Sequence, residues 1–249
     1  ARATYKAGSP IRFDPQTILQ SAVDKLAERG LSALFWLEVE FQVFELVDPS
    51  LDHAQSTIPG APPTTRALNQ GYQYLTETRY AAAEPVLDAI RRAAEGIGLP
   101  VRSVEIEFGP NQFEVTFDPA PPMEQAANMV MFRTLVKEVC AAQGLHASFM
   151  AKPALPNAVG NGWHVHQSLS RDGRNLFKSD DGEPTTEALG CWRSRENSSR
   201  RGSTRCTRAP RTLRIELMVR PSSPSRARTR FTFCTKLGVP RPWFLSNSS

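Results

Sequence analysis

Three stretches of this chain carry chemically capable side chains at every second position. In Trp163-His164-Val165-His166-Gln167-Ser168-Leu169, an extended backbone puts His164, His166 and Ser168 on one face and Trp163, Val165 and Gln167 on the other. In the run from Leu34 to Phe44, Glu38, Glu40 and Gln42 alternate with Leu37, Val39, Phe41 and Val43. In the third, Val104-Glu105-Ile106-Glu107-Phe108 leads through the turn signal Gly109-Pro110-Asn111 into Gln112-Phe113-Glu114-Val115-Thr116-Phe117. There Gln112, Glu114 and Thr116 form the polar set. Gly160 and Gly162 precede the two histidines and would let another group approach the backbone closely.

Any one of these strands is explained by an apolar face packed inward and a polar face turned to water. The set is harder to explain so, because its polar faces hold several carboxylates and no lysine or arginine. If the faces converge, two carboxylates about 4 Å apart repel by roughly 4 kcal/mol at an effective dielectric near 20. Such a cluster needs either shifted protonation or a bound cation. Glutamates with one or two imidazoles suit a magnesium or manganese ion. No cysteine lies near these strands, which argues against zinc.

Helical segments lie between these strands. Asp14-Pro15 supplies an N-cap and a first-turn proline, and Ile18, Leu19, Ala22, Val23 and Leu26 form an apolar stripe that ends at Gly30. A second helix is predicted over about 72–94, tolerating Pro85 either within it or as a break. A third is predicted over about 123–143, with Ala127, Val130, Leu135 and Val139 facing inward. The order of elements predicts an α+β fold, an antiparallel β-sheet backed by helices.

Four separated motifs, in order, resemble the catalytic domain of the glutamine synthetase family and its γ-glutamyl-amine ligase relatives, from about Pro10 to Glu187. They are Glu38-Val39-Glu40-Phe41, Glu107-Phe108-Gly109-Pro110-Asn111-Gln112-Phe113-Glu114, Ala147-Ser148-Phe149-Met150-Ala151-Lys152-Pro153 and Gly160 to Leu169. The sequence departs from the pattern at Asn111, where a glycine is usual, and at Val159, where an asparagine is common. The resemblance implies the glutamine synthetase/guanido kinase-like fold. It implies that Glu40, Glu107 and Glu114 hold one divalent ion, Mg2+ or Mn2+, and that Glu38 and His164 hold a second. His166 and Ser168 would face ATP, and Gly160 would meet substrate glutamate through its backbone. No side chain is singled out as the chemically reacting group. The implied reaction joins the glutamate γ-carboxyl to ammonia or a small amine through γ-glutamyl phosphate. The alternative is a relative that keeps the fold and binds metal without turnover.

Composition changes near Gly190. Residues 191–249 carry 14 Lys+Arg against 2 Asp+Glu, a net of +12, whereas residues 1–190 carry 16 against 23, a net of −7. The chain is therefore expected to divide into a partial catalytic domain, 1–190, and an Arg/Ser/Pro-rich tail, 191–249. The tail is expected to be out-of-frame or disordered; nucleic-acid binding is disfavoured because stacking aromatics are sparse. Within it, Arg214-Ile215-Glu216 echoes a late family element but falls too soon after His164, and is read as chance. The small N-terminal domain of the family and its C-terminal arginines are expected to lack a counterpart in this sequence. Impaired turnover is the expectation, and the ring-shaped homo-oligomer of the family is not expected to assemble normally. No apolar run nears the ~20 residues of a membrane span and no signal-peptide pattern occurs, so a cytoplasmic origin is expected. Cys140 reads as a core residue, and Cys191, Cys206 and Cys234 have no metal-ligand spacing.

Overall fold

The computed structural model describes residues 3–48, 52–74, 76–178 and 185–186, and the backbone of 213–216. The acidic run Asp180, Asp181 and Glu183, which the sequence reads as a solvated loop, and the tail 191–249 apart from 213–216 lie outside the described residues.

One long strand organises everything else. Strand β1, Ser32–Leu46, follows helix α1, Pro15–Ala27, and precedes β2, Thr65–Ala67. Helix α2, Glu77–Gly96, then leads to β3, Val101–Ile106, and β4, Gln112–Phe117; helix α3, Pro122–Ala141, leads to β5, Leu145–Ser148. The last elements are β6, Trp163–Arg171, β7, Arg174–Asn175, and β8, Leu213–Glu216. The path through the sheet is β3-β4-β1-β6-β7, with β2 and β5 also on β1 and β8 also on β6. All pairings are antiparallel.

The period of two seen in the sequence becomes two opposite faces. Leu37, Val39, Phe41 and Val43 are buried against Phe113, Val115 and Phe117 of β4. Helices α2 and α3 cover this side, contributing Leu87 and Ile90 from the first and Phe132 and Val136 from the second. Phe41 sits among the rings of Phe113, Phe132 and Phe149 at centroid distances of 5.2 to 6.1 Å. Burying a side chain of this size contributes roughly 1.5–3 kcal/mol. The architecture is α+β, a curled antiparallel sheet backed by helices.

The structure decides three points about the helices. Pro85 lies inside α2 without breaking it, because it and Ala81 are on the exposed side, where the carbonyl that loses its donor meets water. In α3 the buried positions include Met129, Phe132, Val136 and Cys140, while Ala127 and Val130 are exposed and Leu135 and Val139 are half-buried. The largest ring, Phe132, sets the phase of the helix. Helix α1 has its Asp14 cap, whose carboxylate accepts from the Thr17 amide at 2.9 Å, but none of its stripe is fully buried and Ile18 is exposed.

Candidate metal centre and its surroundings

The polar face of the sheet is built row by row from strand register. Glu38 of β1 lies between Thr116 of β4 and His164 of β6. Two residues on, Glu40 lies beside Glu114, which in turn lies beside Glu105 of β3. Gln42 then lies between Gln112 and Ser148. Like charges directly opposite one another destabilise a sheet, so this is an arrangement that packing alone does not explain.

Among the described residues, two groups of ligand atoms converge. One is Glu38, Glu114 and His164; the other is Glu40, Glu107 and Glu114; within each, the atoms lie within 4.8 Å of one another. The residues expected to hold two ions are thus brought together, with one difference. Glu114, assigned from sequence to one set, belongs to both, because its strand lies next to β1 at the centre of the sheet. Burial, followed by the charges of Glu38, Glu107, Glu40 and Glu105, pushes its carboxyl up to about 9. The side chain is only 8% exposed. Three glutamate carboxylates within reach of one another, and two glutamates with an imidazole, make a donor set that fits a hard divalent ion.

Hydrogen bonds fix the orientation of the candidate ligands. Glu38 bridges both imidazoles: His164 Nδ1 is 2.5 Å from its Oε1, and His166 Nε2 is 2.9 Å from its Oε2. Glu40 Oε2 accepts from the Gly162 amide at 2.6 Å and from Gln112 Nε2 at 2.8 Å. A side chain at Gly162 would displace the candidate ligands: a Cβ would lie 2.4 Å from His164 Nε2 and 2.6 Å from Glu40 Oε1. His166 and Ser168 continue the same face and are buried. His166 stacks on Trp36 with centroids 4.8 Å apart and planes 10° apart. Its Nδ1 is buried and has no hydrogen-bond partner among the described residues. Gly160 lies in the loop before β6, and its carbonyl accepts from Gln112 Nε2 at 2.9 Å.

The two departures noted in the sequence have structural accounts. Asn111 adopts φ 60°, the left-handed conformation that asparagine tolerates better than most residues. Its side-chain oxygen accepts from the Leu68 amide and, at 3.1 Å, from the Asn69 amide. Val159 packs against Gly109, where a Cβ would lie 2.0 Å from Val159 Cγ2.

Sequence reasoning missed several neighbours. Tyr74 is exposed and its ring lies 5.3 Å from that of Phe108; burial and then the charges of Glu107, Glu40 and Glu114 raise its phenol. Arg133 of α3 lies 5.8 Å from the Phe149 ring and 6.0 Å from the Trp163 ring. No spacing pattern marks either residue. The Arg214-Ile215-Glu216 segment, read as chance, forms most of β8, with Glu216 in register with His164 and Arg214 with His166. His53 is exposed in a 3-10 turn, and His146 is half-buried, its imidazole pushed down by burial and then by Lys137.

The family described as glutamine synthetase, catalytic domain, matches residues 12–191. The chain belongs to that family. It is 35% identical over 185 residues to the γ-glutamylanilide synthase of Acinetobacter sp, covering 72% of this chain and 37% of that protein. It is 31% identical over 178 residues to the glutamine synthetase of Pyrococcus abyssi, again covering 72% and 37%. The γ-glutamylethanolamide synthetase GlnA4 of Streptomyces coelicolor is 32% identical over 184 residues, covering 73% and 38%. Among solved structures, a novel glutamine synthase homolog superposes with a TM-score of 0.58 at 25% identity, covering 72% of this chain and 37% of that one. The GmaS/ADP complex superposes with a TM-score of 0.59 at 26% identity, covering 72% and 39%. The chain therefore spans little more than a third of the length of the curated relatives it matches. No helix among the described residues is long and apolar enough to cross a membrane.

Proposed function

We propose that this chain supplies the metal- and nucleotide-binding part of an ATP-dependent glutamate–amine ligase of the glutamine synthetase type. The observation that carries the reading is Glu114, one buried carboxyl common to two ligand clusters on one sheet face. Glu40, Glu107 and Glu114 would hold one Mg2+ or Mn2+ ion; Glu38 and His164, with Glu114, would hold the other. When bound, the pair would neutralise charge between the nucleotide phosphates and the γ-carboxylate. His166, with its unpartnered Nδ1, and Ser168 would meet the nucleotide, and the backbone at Gly160 would meet glutamate.

In that reaction the γ-phosphoryl group passes from ATP to the glutamate γ-carboxylate, releasing ADP. The amine nitrogen then attacks the acyl carbon and phosphate leaves. The chain's own contribution is positioning: β1 and β4 hold carboxylates that cannot all stay ionised unless positive charge arrives. Ammonia or a small amine is the acceptor class, and the exposed rings of Tyr74 and Phe108 lie beside each other, with Tyr74 within reach of the charges of Glu107, Glu40 and Glu114. We assign residues 1–190 to this catalytic unit, acting in the cytoplasm where ATP and glutamate are available, and within a homo-oligomer when the fold is whole.

Titration calorimetry of the full chain with Mn2+ tests the proposal. Mn2+ should bind, and Glu40→Ala and Glu114→Ala should each weaken it; ADP release with glutamate and an amine measures turnover directly. No Mn2+ binding, or affinity unchanged in both variants, would overturn it.

A further inference from the structure

Gln112 occupies a position that the metal clusters do not use. It is the first residue of β4 and is only 2% exposed. Its amide contacts groups from three parts of the chain. Oε1 accepts from the Gly109 amide at 3.0 Å, which holds the side chain in one orientation with Nε2 turned away from the Gly109–Asn111 turn. Nε2 then faces Glu40 Oε2 at 2.8 Å, the Gly160 carbonyl at 2.9 Å and Asn161 Oδ1 at 3.1 Å. An amide nitrogen has two hydrogens, so three acceptors compete for two donors. The orientation is not interchangeable, because a flipped amide would turn an oxygen toward three acceptors and a nitrogen toward the Gly109 N–H.

Both groups on the far side of Gln112 are themselves fixed. Asn161 donates from Nδ2 to the Met150 carbonyl at 2.7 Å, and its backbone amide donates to the Ala151 carbonyl at 2.8 Å. The loop before β6 is thereby fastened to the segment just after β5. Glu40 Oε2 also accepts from the Gly162 amide. One carboxylate oxygen thus takes a hydrogen bond from β4 and another from the loop, and Gln112 binds both the carboxylate and the loop.

We infer that Gln112 is a positioning residue that ties the Glu40 carboxylate, itself bonded to the Gly162 amide, to the Gly160 carbonyl and the Asn161 side chain, so that ion occupancy and the order of this loop are thermodynamically linked. An ion that fixes Glu40 in one orientation improves the acceptor geometry offered to the Gly162 amide and to Gln112, and the loop tightens. By reciprocity, an ordered loop favours the ion. The Gly160 backbone is the part of the proposed site assigned to glutamate, so the linkage rests on that proposed function and predicts that metal prepares the amino-acid subsite.

Amide hydrogen exchange on the full chain, with and without Mn2+, tests this. In Gln112→Met, which removes both amide functions, and in Gln112→Glu, which keeps size and the Gly109 bond but loses the donor, the metal-free Gly162 amide should exchange at least about tenfold faster. Phe113, next door on β4, should be unchanged and serves as the check that each variant is folded. In the unsubstituted chain Mn2+ should slow Gly162 exchange further, and in both variants that slowing should shrink to less than about twofold although Mn2+ still binds. Mn2+ binding with Gly162 exchange the same in all three proteins overturns the linkage alone. A chain that binds no Mn2+ overturns the linkage and the proposed function together.

Discussion

The two faces of β1 are built to opposite rules. On the odd-numbered face, Val39, Phe41 and Val43 are almost completely buried and meet other neutral, apolar groups. On the even-numbered face, Glu38 and Glu40 stand beside two imidazoles and among carboxylates that oppose one another's ionisation. One face gives the molecule its stability and the other spends some of it on a site. Substitutions on the first should therefore damage the fold and spare ligand binding once corrected for folding. Substitutions on the second should do the reverse.

The largest effect is expected on the apolar side. Phe41→Ala removes a ring held by three others and should cost about 3–5 kcal/mol in chemical denaturation. On the polar side, Glu114→Gln should weaken Mn2+ binding by on the order of 100-fold in calorimetry, at the top of the range for losing a supporting partner, because both clusters lose a member. The same variant should melt higher than the unsubstituted chain when both are metal-free. Glu114 keeps its proton up to about 9 in the fold but would lose it near 4.5 once unfolded, so between those values the folded form holds the extra proton. Metal-free stability should then fall as pH rises across that window, and Glu114→Gln should flatten the slope of melting temperature against pH. A metal-free chain that gains stability with rising pH would contradict the clustering.

A smaller effect separates geometry from charge. Gly162→Ala adds a methyl that meets His164 Nε2 and Glu40 Oε1, and Mn2+ affinity should fall by roughly tenfold while the denaturation midpoint moves little. The smallest expected effect is none at all. Cys140 is buried in α3 and burial pushes its thiol up to about 12, so a thiol reagent at neutral pH should label it only after unfolding.

Much of this contrast was legible in the residues. Period-two alternation identified Glu38, Glu40, Glu114, His164 and His166 as face-sharing sets, because side-chain direction along a strand is a local property. What alternation cannot give is which strands become neighbours. The placement of Glu40 beside Glu114, and the sharing of Glu114 between clusters, depends on register between strands far apart in sequence. The resemblance implies Glu107 and not Glu105 as a ligand, and the structure gathers Glu107 into a cluster while Glu105 adds its charge to Glu114 from β3. Gln112 was visible as a polar alternate, but its reach to Asn161 depends on a loop whose path no local pattern encodes. In α3 the error was one of phase. Val130 fits an apolar stripe, yet the helix turns to bury Phe132 instead.

The length of β1 has a consequence for how the protein is made. Its Glu38 waits for His164, 126 residues later in the chain. At about 5–20 residues per second, translation leaves that strand without its β6 neighbour for roughly 6–25 s. During that interval a fifteen-residue strand presents the edge that β6 will pair to everything else leaving the ribosome. The row of glutamates along it, costly in the finished fold, is then an asset, since repulsion between identical nascent strands discourages them from pairing with one another.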